Sequence, residues 1–398
     1  MTAHAPSTEA ELVDMVRAAN ADGAPLRLLG AGSKGALGRP PIGDLVSLAA
    51  FAGLTLYEPE ELVLSARAAT PRAEIEALLD AHGQQFAFEP VDYGPLLGAG
   101  LGTMGGLVAT GGGGPRRIKA GALRDYLLGF RCVTGRGDVV KSGGRVMKNV
   151  TGYDLSKLVA GSYGTLAALT EVTLKVLPKA ESEATALLTG LNEGVSLQAL
   201  RDASRSACEA SGLAMLPARA GPSGQTRNLA AIRLEGPPIS LGQRLDDLRA
   251  LLGPLGGVFE TLSQSDSAAL WRGLRDAEPV AAAPGQIWRV SLAPTDGGRF
   301  VEALKAHGAP ILSYFYDWAG GLVWLRLEEA SDAHAATLRA ALEDFGGHAT
   351  LIRAAESVRA AVDVFQPQAP ALAALSKRVK ASFDPAHVLE RGRMRAEF

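Results

Sequence analysis

Residues 100–114 read GLGTMGGLVATGGGG, and eight of these fifteen residues are glycine. The enrichment extends outward: between Gly94 and Gly144, 16 of 51 residues are glycine. Glycine is favoured where the backbone needs a positive φ or where another group must approach it closely. Within this region, residues 103–110 predict one short helix whose start faces a pyrophosphate. The pattern predicts several loops that converge on one ligand, and a set of purely structural tight turns is the alternative.

A second glycine loop lies upstream, where residues 30–35 (GAGSKG) follow a predicted strand with the spacing G-x-G-x-x-G. Residues 100–105 repeat that spacing. A Rossmann unit needs a long helix after such a loop, but Pro40 and Pro41 prevent one here. Successive loop amides instead form concave sites for anions. The two loops therefore predict phosphate capture by loop backbone rather than NAD binding by a Rossmann unit.

The composition excludes several classes of protein. The chain has 398 residues, of which 47% are hydrophobic, enough for two or three domains with cores of their own. Its 40 basic and 42 acidic residues balance, so no nucleic-acid partner is expected. Cys132 and Cys208 are its two cysteines. An iron–sulfur cluster needs about four thiolates, so this chain is not expected to hold one, and a reducing, cytoplasmic setting fits.

The uncharged segment 93–115 resembles a membrane span only superficially. Nine of the 21 residues from Pro95 to Pro115 are glycine, so the segment buries too little side chain to span a bilayer. The first ten residues contain Glu9 and no apolar run, which predicts no signal peptide. We expect a cytoplasmic protein without a membrane span, whose contact with a membrane, if any, runs through partners.

The alternation of predicted strands and helices divides the chain into three parts. Residues 1–180 contain the glycine loops. Residues 181–355 show the order βαββαβ twice, which predicts two ferredoxin-like repeats, with 264–285 as a linker between them. Residues 356–398 predict a helical tail that packs back on the first part. The fold class predicted from this order is α+β.

Four segments together resemble a known family: Gly102–Gly111, Lys148–Leu155, Gly161–Leu166 and Leu169–Pro178. They are similar to the FAD-binding domain of the vanillyl-alcohol-oxidase, or p-cresol-methylhydroxylase (PCMH), type of flavoprotein. More narrowly, they resemble the FAD-binding subunit of bacterial three-subunit glycolate oxidases. The resemblance implies a PCMH-type FAD-binding domain of two subdomains plus a cap domain of two ferredoxin-like repeats. The C-terminal Leu389–Arg393 matches the family's Leu-Asn-Pro-Gly-Arg turn at its Gly and Arg and departs at Glu390 and Arg391.

The resemblance also implies which residues hold FAD. The first loop would wrap the pyrophosphate, residues 103–106 would form its second wall, residues 109–113 would run beside the flavin, 161–165 would line the adenosine and ribitol side, and Val172 would pair its backbone with adenine. The cofactor-binding residues implied are Gly30, Ala31, Gly32, Ser33, Lys34, Gly35, Thr103, Met104, Gly105, Gly106, Ala109, Gly112, Gly113, Gly121, Gly161, Ser162, Gly164, Thr165 and Val172. The first loop contains no histidine or cysteine, so non-covalent FAD is expected.

No catalytic residue or metal site emerges from the sequence. None of the six histidines lies in the His-x-Gly-Asp context that related hydroxy-acid dehydrogenases use: His4, His82, His307, His334, His348 and His387. Arg116, Arg117 and Lys119 are candidates to hold a substrate carboxylate or a reduced-flavin anion, and a solvated basic loop is the alternative. Tyr153 is either close to the flavin ring or a packed aromatic at a helix start.

The resemblance implies an FAD-dependent oxidoreductase that acts on 2-hydroxy acids, as a subunit of a glycolate-oxidising complex. Its implied partners are a paralogous FAD-containing catalytic subunit and an iron–sulfur subunit. Two alternatives stay open. One is a self-sufficient FAD-dependent 2-hydroxy-acid dehydrogenase, and the other is a protein that keeps the fold without FAD.

Overall fold

The computed structural model describes residues 3–144, 153–218 and 227–398. The chain divides into two compact units. Unit 1 comprises Met1–Gly113, Ala122–Lys179 and Pro367–Phe398, and unit 2 comprises Gly114–Gly121 and Ala180–Gln366. Residues 114–121 and 356–366 thus belong to unit 2, whereas the sequence placed them in the first domain and in the tail. For the first segment the reason is electrostatic, because Arg116 pairs with Glu235 of unit 2.

Unit 1 begins with a small parallel sheet in the order β1-β3-β2. Its elements are β1 (Ala3–His4), α1 (Glu9–Asp22), β2 (Leu26–Leu29) and β3 (Asp44–Ser47). Helix α1 starts after Thr8, because the Thr8 hydroxyl accepts a hydrogen bond from the Glu11 amide at 3.2 Å. Its buried stripe, Leu12 to Ala19, packs on this sheet. The sheet leads the chain directly into the first glycine loop.

A five-stranded antiparallel sheet in the order β4-β5-β9-β7-β8 forms the second half of unit 1. In chain order, the elements here are β4 (Leu54–Glu58), β5 (Val63–Arg67), α2 (Arg72–Ala81), β6 (Gln84–Gln85), α3 (Gly94–Leu97), α4 (Met104–Thr110), α5 (Arg117–Ala120), α6 (Leu123–Tyr126), β7 (Leu127–Thr134), β8 (Val139–Gly143), α7 (Leu155–Val159), β9 (Ala167–Lys175) and β10 (Leu177–Pro178). Helix α5 groups with unit 2, and β10 pairs with β6. Leu64, Phe88, Leu107, Phe130 and Val172 lie in the core between this sheet and its helices.

Unit 2 is built on one eight-stranded antiparallel sheet. Its elements are β11 (Ser182–Thr189), α8 (Glu193–Arg205), β12 (Gly212–Leu216), β13 (Leu229–Gly236), α9 (Pro238–Leu252), β14 (Val258–Leu262), α10 (Gln264–Arg275), α11 (Glu278–Ala281), β15 (Gln286–Ser291), α12 (Gly297–Ala306), β16 (Ile311–Asp317), β17 (Leu322–Leu327), α13 (Ala335–Leu342), β18 (His348–Arg353) and α14 (Glu356–Ala361). The predicted order βαββαβ, twice, is confirmed. The sheet order β14-β11-β13-β12-β16-β17-β15-β18 joins the repeats edge to edge, with Met215 opposite Tyr316.

The predicted linker over 264–285 is wrong, because helices α10 and α11 occupy most of it. Ser263 caps α10 by accepting a hydrogen bond from the Asp266 amide. Trp271 is 1% exposed, and its indole donates to the Thr185 hydroxyl at 2.7 Å. A Cβ added to Gly212 would come within 2.7 Å of that indole. Trp271 packs against Gly212 and so anchors this amphipathic segment to the rest of unit 2. The segment has a low hydrophobic content, which is why the sequence predicted a linker.

The tail contains helix α15 (Pro370–Phe383), as the sequence predicts. Lys380 and Asp384 form an ion pair of 2.6 Å, and their side chains are 1% and 0% exposed. The Lys380 ammonium also donates to the carbonyls of Thr165 and Leu389. Residues after the helix extend the first sheet, since the Leu26 amide donates to the Val388 carbonyl. The ion pair therefore fastens the end of the chain to unit 1.

None of the helices in the described ranges is both long and apolar enough to cross a bilayer.

Candidate cofactor site

A cleft of about 990 Å³, counting its solvent-open part, lies within unit 1 where the glycine loops meet. Of the residues singled out from the sequence, the following line it: Gly30, Ala31, Gly32, Ser33, Lys34, Gly35, Thr103, Gly105, Gly106, Ala109, Ser162 and Gly164. Three segments far apart in the sequence therefore face one cleft.

The other residues singled out from the sequence lie elsewhere: Met104, Gly112, Gly113, Gly121, Gly161, Thr165 and Val172. Met104 and Val172 are fully buried in the core. Val172 lies in β9, the strand between β5 and β7, so the two neighbouring strands enclose its backbone and the expected pairing with adenine is corrected. Gly121 belongs to the segment of unit 2.

The remaining four support the cleft from behind. The Thr165 hydroxyl donates to the Ser162 carbonyl at 2.7 Å. The Gly161 amide donates to the Val108 carbonyl at 3.0 Å, which ties the third segment to α4. A Cβ at Gly112 would come within 2.7 Å of the Tyr93 hydroxyl, and one at Gly113 would lie 3.5 Å from a backbone carbonyl of the core. These glycines allow close packing rather than direct contact with the cleft.

The two main glycine loops touch each other, and this contact requires glycine. A Cβ at Gly30 would lie 2.7 Å from the Thr103 hydroxyl. Gly102 has φ of +85°, and a Cβ there would lie 2.2 Å from the Ser33 hydroxyl. Any side chain at either position would push the loops apart. The glycines thus bring two backbone segments to one wall of the cleft.

The two loops differ in the backbone donors that they offer. In the second loop, the Gly105 amide donates to the Ala68 carbonyl at 2.7 Å and the Gly106 amide to the Thr103 hydroxyl at 3.3 Å. In the first loop, within the parts of the chain that the structure describes, the amides of residues 31–34 have no acceptor in the protein. The first loop therefore keeps backbone amides available to an anion, whereas the Gly105 and Gly106 amides of the second loop are already hydrogen-bonded within the protein.

Lys34 adds a positive charge to the first loop. Its ammonium donates to the Leu101 carbonyl at 3.1 Å and lies 3.4 Å from the Ser33 hydroxyl, so the side chain bridges the two loops. Burial, together with the nearby Arg72 guanidinium, lowers the pKa of Lys34 to about 8. A desolvated ammonium at a cleft lined by loop amides suits a ligand with phosphate charge.

The C-terminal turn supplies two further residues of the cleft, Glu390 and Arg393. Arg393 donates to the carbonyls of Lys34 at 2.9 Å and Gly35 at 3.2 Å, which ties the C-terminal turn to the first loop. Glu390 is 4% exposed and accepts a hydrogen bond from the Leu28 amide. Burial raises the pKa of Glu390. The sequence pointed to Arg393 as a residue near the cofactor, because it matches the family's C-terminal turn. Nothing in the sequence pointed to Glu390 as a residue of the cleft.

The candidate substrate residues of the sequence analysis belong to unit 2 or are exposed. Arg116 pairs with Glu235, and Lys119 lies 3.2 Å from Glu209. Arg117 lies over the indole of Trp318. Tyr153 is 90% exposed, so the packed-aromatic interpretation is wrong.

Lys148 and the other residues of the Lys148–Leu155 motif up to 152 lie outside the described ranges. Among the described residues, no three acidic, histidine or cysteine side chains lie close enough together to hold a metal ion.

The sequence of this chain is similar to the sequences of known proteins. A family model described as "FAD binding domain" matches residues 3–143. The glycolate oxidase subunit GlcE of Escherichia coli strain K12 is 35% identical over 387 residues, which cover 97% of each chain. The glycolate oxidase subunit GlcD of Bacillus subtilis strain 168 is 39% identical over 102 residues, or 26% of this chain and 22% of that one.

Among solved structures, p-cresol methylhydroxylase with substrate bound matches with a TM-score of 0.69 and 14% identity, covering 98% of this chain and 88% of that chain. At this identity the likeness concerns the fold, and it confirms the predicted α+β, PCMH-type architecture. The similarity to GlcE extends over nearly the full length of both chains, so it bears on the family as well as on the fold. Taken with the FAD-binding domain match, it shows that the chain belongs to the family of the glycolate oxidase subunit GlcE.

Proposed function

We propose that this chain is the FAD-binding subunit of a complex that oxidises a small 2-hydroxy acid, glycolate, to glyoxylate and passes the electrons to a partner subunit. One observation carries the proposal: identity to GlcE runs over 97% of both chains, so the cap domain matches as well as the cofactor loops. The convergence of those loops on one cleft supports it from the structure.

The residues of the cleft fit a dinucleotide with a diphosphate at its centre. The amides of residues 31–34 would hold the diphosphate, and the Lys34 ammonium would neutralise part of its charge. Arg393, which also lines the cleft, would hold the loop in shape through two carbonyls of its backbone. When bound, FAD would supply a two-electron acceptor for the alcohol. No histidine or cysteine is among the residues that line the cleft in the described ranges, which supports non-covalent attachment.

We propose that the electrons leave this chain through another protein, because this chain lacks the thiolates for an iron–sulfur cluster of its own. Cys132 and Cys208 are both buried and unpaired, and two thiols are too few for an iron–sulfur cluster. Oxidation of each glycolate to glyoxylate releases two electrons and two protons, which the reduced flavin must pass on. We infer two partners: a second flavin-containing chain with GlcD-like sequence, and an iron–sulfur chain that accepts the electrons. Direct contact with nucleic acid is not part of this function.

The decisive experiment is purification of the chain with its bound partners from its native host. We expect a yellow preparation whose FAD passes into the supernatant on acid precipitation, with the partner chains present by mass spectrometry. A colourless protein that takes up no FAD on addition would refute the cofactor. A flavin that stays with the precipitated protein would refute non-covalent binding.

The self-sufficient dehydrogenase is the second candidate, favoured by two arginines of unit 2, Arg117 and Arg289, that both lie over the indole of Trp318. Anaerobic addition of glycolate separates the two candidates. If the isolated, FAD-loaded chain bleaches its own flavin, it turns over substrate alone. If bleaching occurs only in the presence of the partner chains, the subunit function stands.

A further inference from the structure

We propose that Glu390 is the residue by which the cleft recognises a sugar hydroxyl next to the diphosphate of FAD. This inference rests on the proposed function for the ligand and on the geometry of the C-terminal turn for the residue. Glu390 lines the cleft although it is only 4% exposed. A carboxylate is an unexpected group in the wall of a cleft that otherwise suits an anion, and the site therefore calls for a part of the ligand without negative charge.

The backbone of Glu390 is held in an unfavourable conformation. Its φ is +48°, in the left-handed region that glycine and asparagine tolerate better than a longer residue. Its amide donates to the Leu26 carbonyl at 2.9 Å, and its carbonyl accepts from the Arg393 amide at 3.0 Å. Residues held in this way at the wall of a ligand site are typical of functional positions.

The side chain of Glu390 is fixed by two neighbouring segments. One carboxylate oxygen accepts a hydrogen bond from the Leu28 amide of β2. A Cβ added to Gly164 would lie 3.3 Å from the Glu390 Cγ, so the glycine leaves room for the side chain. One oxygen is thus engaged by the protein, and the second oxygen is the atom that a ligand can use.

This second oxygen lies beside an unpaired donor. It is 3.7 Å from the Arg393 Nε, which is beyond hydrogen-bond distance. The other two guanidinium nitrogens donate to the Lys34 and Gly35 carbonyls, whereas Nε is buried and has no hydrogen-bond partner among the described residues. A buried donor without a partner costs free energy. A single ligand oxygen about 2.8 Å from both atoms would satisfy the donor and the carboxylate together.

A hydroxyl is the group that matches this pair. Its oxygen accepts from the Arg393 N–H while its own O–H donates to Glu390. A phosphate oxygen has no hydrogen to donate, and the Glu390 carboxylate would repel its charge. Burial raises the pKa of Glu390, and a hydrogen bond from a hydroxyl favours the charged form of the carboxylate. A bound hydroxyl therefore offsets part of the cost of burying this group.

The hydroxyl site lies next to the part of the cleft that is suited to phosphate. The same Arg393 side chain that faces Glu390 also holds the first loop, whose amides at residues 31–34 are available to a diphosphate. In FAD, two hydroxyl-bearing groups are bonded directly to the diphosphate: the ribose of the adenosine half and the ribityl chain of the flavin half. Both offer the same chemistry to Glu390, and the test identifies which one is bound.

The test is isothermal titration calorimetry of the full-length, FAD-free chain with two ligand series. The first series is ADP, 2′-deoxy-ADP and 3′-deoxy-ADP, and the second is FMN and FMN analogues that each lack one ribityl hydroxyl. In one series, loss of a hydroxyl should weaken binding roughly tenfold or more, as expected for a hydrogen bond to a charged group. The series that shows this deletion penalty identifies the sugar.

Variants of Glu390 should then reduce the deletion penalty. Glu390→Gln keeps an oxygen for the Leu28 amide but loses the charge, so the penalty should fall to about threefold or less. Glu390→Asn guards against misfolding, because asparagine tolerates the left-handed backbone, and its shorter side chain should abolish the penalty. Glu9→Gln is the matched control, since Glu9 is a half-buried carboxylate of unit 1 that pairs with Arg131. It should keep the full penalty.

Three results would overturn the proposal. They are the absence of a deletion penalty in both series of the unaltered chain, an unchanged penalty in the two Glu390 variants, and an equal fall of the penalty in Glu9→Gln. A purely structural Glu390 would give the second result, because its loss would weaken every ligand of a series equally.

An FAD titration of the same samples separates this proposal from the proposed function. A chain that binds FAD but shows no penalty dependent on Glu390 refutes the role of Glu390 and leaves the cofactor function standing. A chain that takes up no FAD, yet distinguishes ADP from its deoxy analogues through Glu390, supports the role of Glu390 and refutes that function.

Discussion

Lys34→Met should weaken FAD binding by removing the ammonium that bridges the two glycine loops. The side chain lies in the lining of the cleft, with its ammonium 3.1 Å from the Leu101 carbonyl. At about 4 Å, a unit charge pair is worth roughly 4 kcal/mol at an effective dielectric constant of 20. Part of this is lost to desolvation, and a hydrogen bond to a charged group contributes about 1.5–3 kcal/mol net. The dissociation constant for FAD should therefore rise roughly 10- to 150-fold.

The pH dependence gives a second, sharper signature. In the protein without FAD the pKa of Lys34 is about 8, and a neighbouring diphosphate must raise it, because opposite charge favours the protonated form. FAD affinity should therefore be highest below pH 8 and fall as the pH rises above that value. The stability of the FAD-free protein should move oppositely: the folded pKa lies below the ordinary value of 10.5, so stability rises with pH between about 8 and 10.5.

The assay is fluorescence titration of FAD into the FAD-free chain at pH 7 and pH 9.5. Lys34→Met should bind weakly and nearly equally at the two pH values. Lys34→Arg should keep the affinity and lose the pH dependence, because arginine stays charged throughout this range. Lys179→Met, at a half-exposed surface ion pair with Asp80, is the control. If Lys34→Met kept the unaltered affinity and pH profile, the role of this charge would be refuted.

Three further predictions follow from the packing of unit 1. Gly30→Ala places a Cβ 2.7 Å from the second loop and should weaken FAD binding roughly tenfold. Gly100→Ala, where the added Cβ meets open space, should leave FAD binding unchanged. Equal FAD dissociation constants for the two variants in a titration would contradict this. Lys380→Met leaves its buried aspartate partner unpaired and should destabilise the fold by about 3–5 kcal/mol in urea unfolding, against little change for the exposed Lys377→Met. Arg393→Met removes the hydrogen bonds to the Lys34 and Gly35 carbonyls of the first loop and should speed FAD release in stopped-flow displacement. An unchanged release rate would show that Arg393 does not hold the loop around FAD.

The convergence of the glycine loops on one cleft was predictable because the signal of each loop is local. A glycine pattern such as that of residues 30–35 or 100–114 reports backbone conformation and close approach, and these are largely properties of neighbouring residues. The same holds for the two βαββαβ repeats, which periodicity and turn residues encode. The linker over 264–285 was wrong because α10 depends on a distant partner, the space at Gly212 that receives Trp271.

Sequence alone determined the family and the fold class, and it predicted that the first glycine loop binds the cofactor. Tertiary structure alone decided which donors remain for a ligand, because the amides of Gly105 and Gly106 are taken by Ala68 and Thr103. It also brought Glu390 and Arg393 to a loop some 360 residues earlier and Arg117 to the indole of Trp318. The physical reason is that backbone turns follow from local residues, whereas hydrogen-bond partners and converging charges follow from packing between segments that are far apart in the chain.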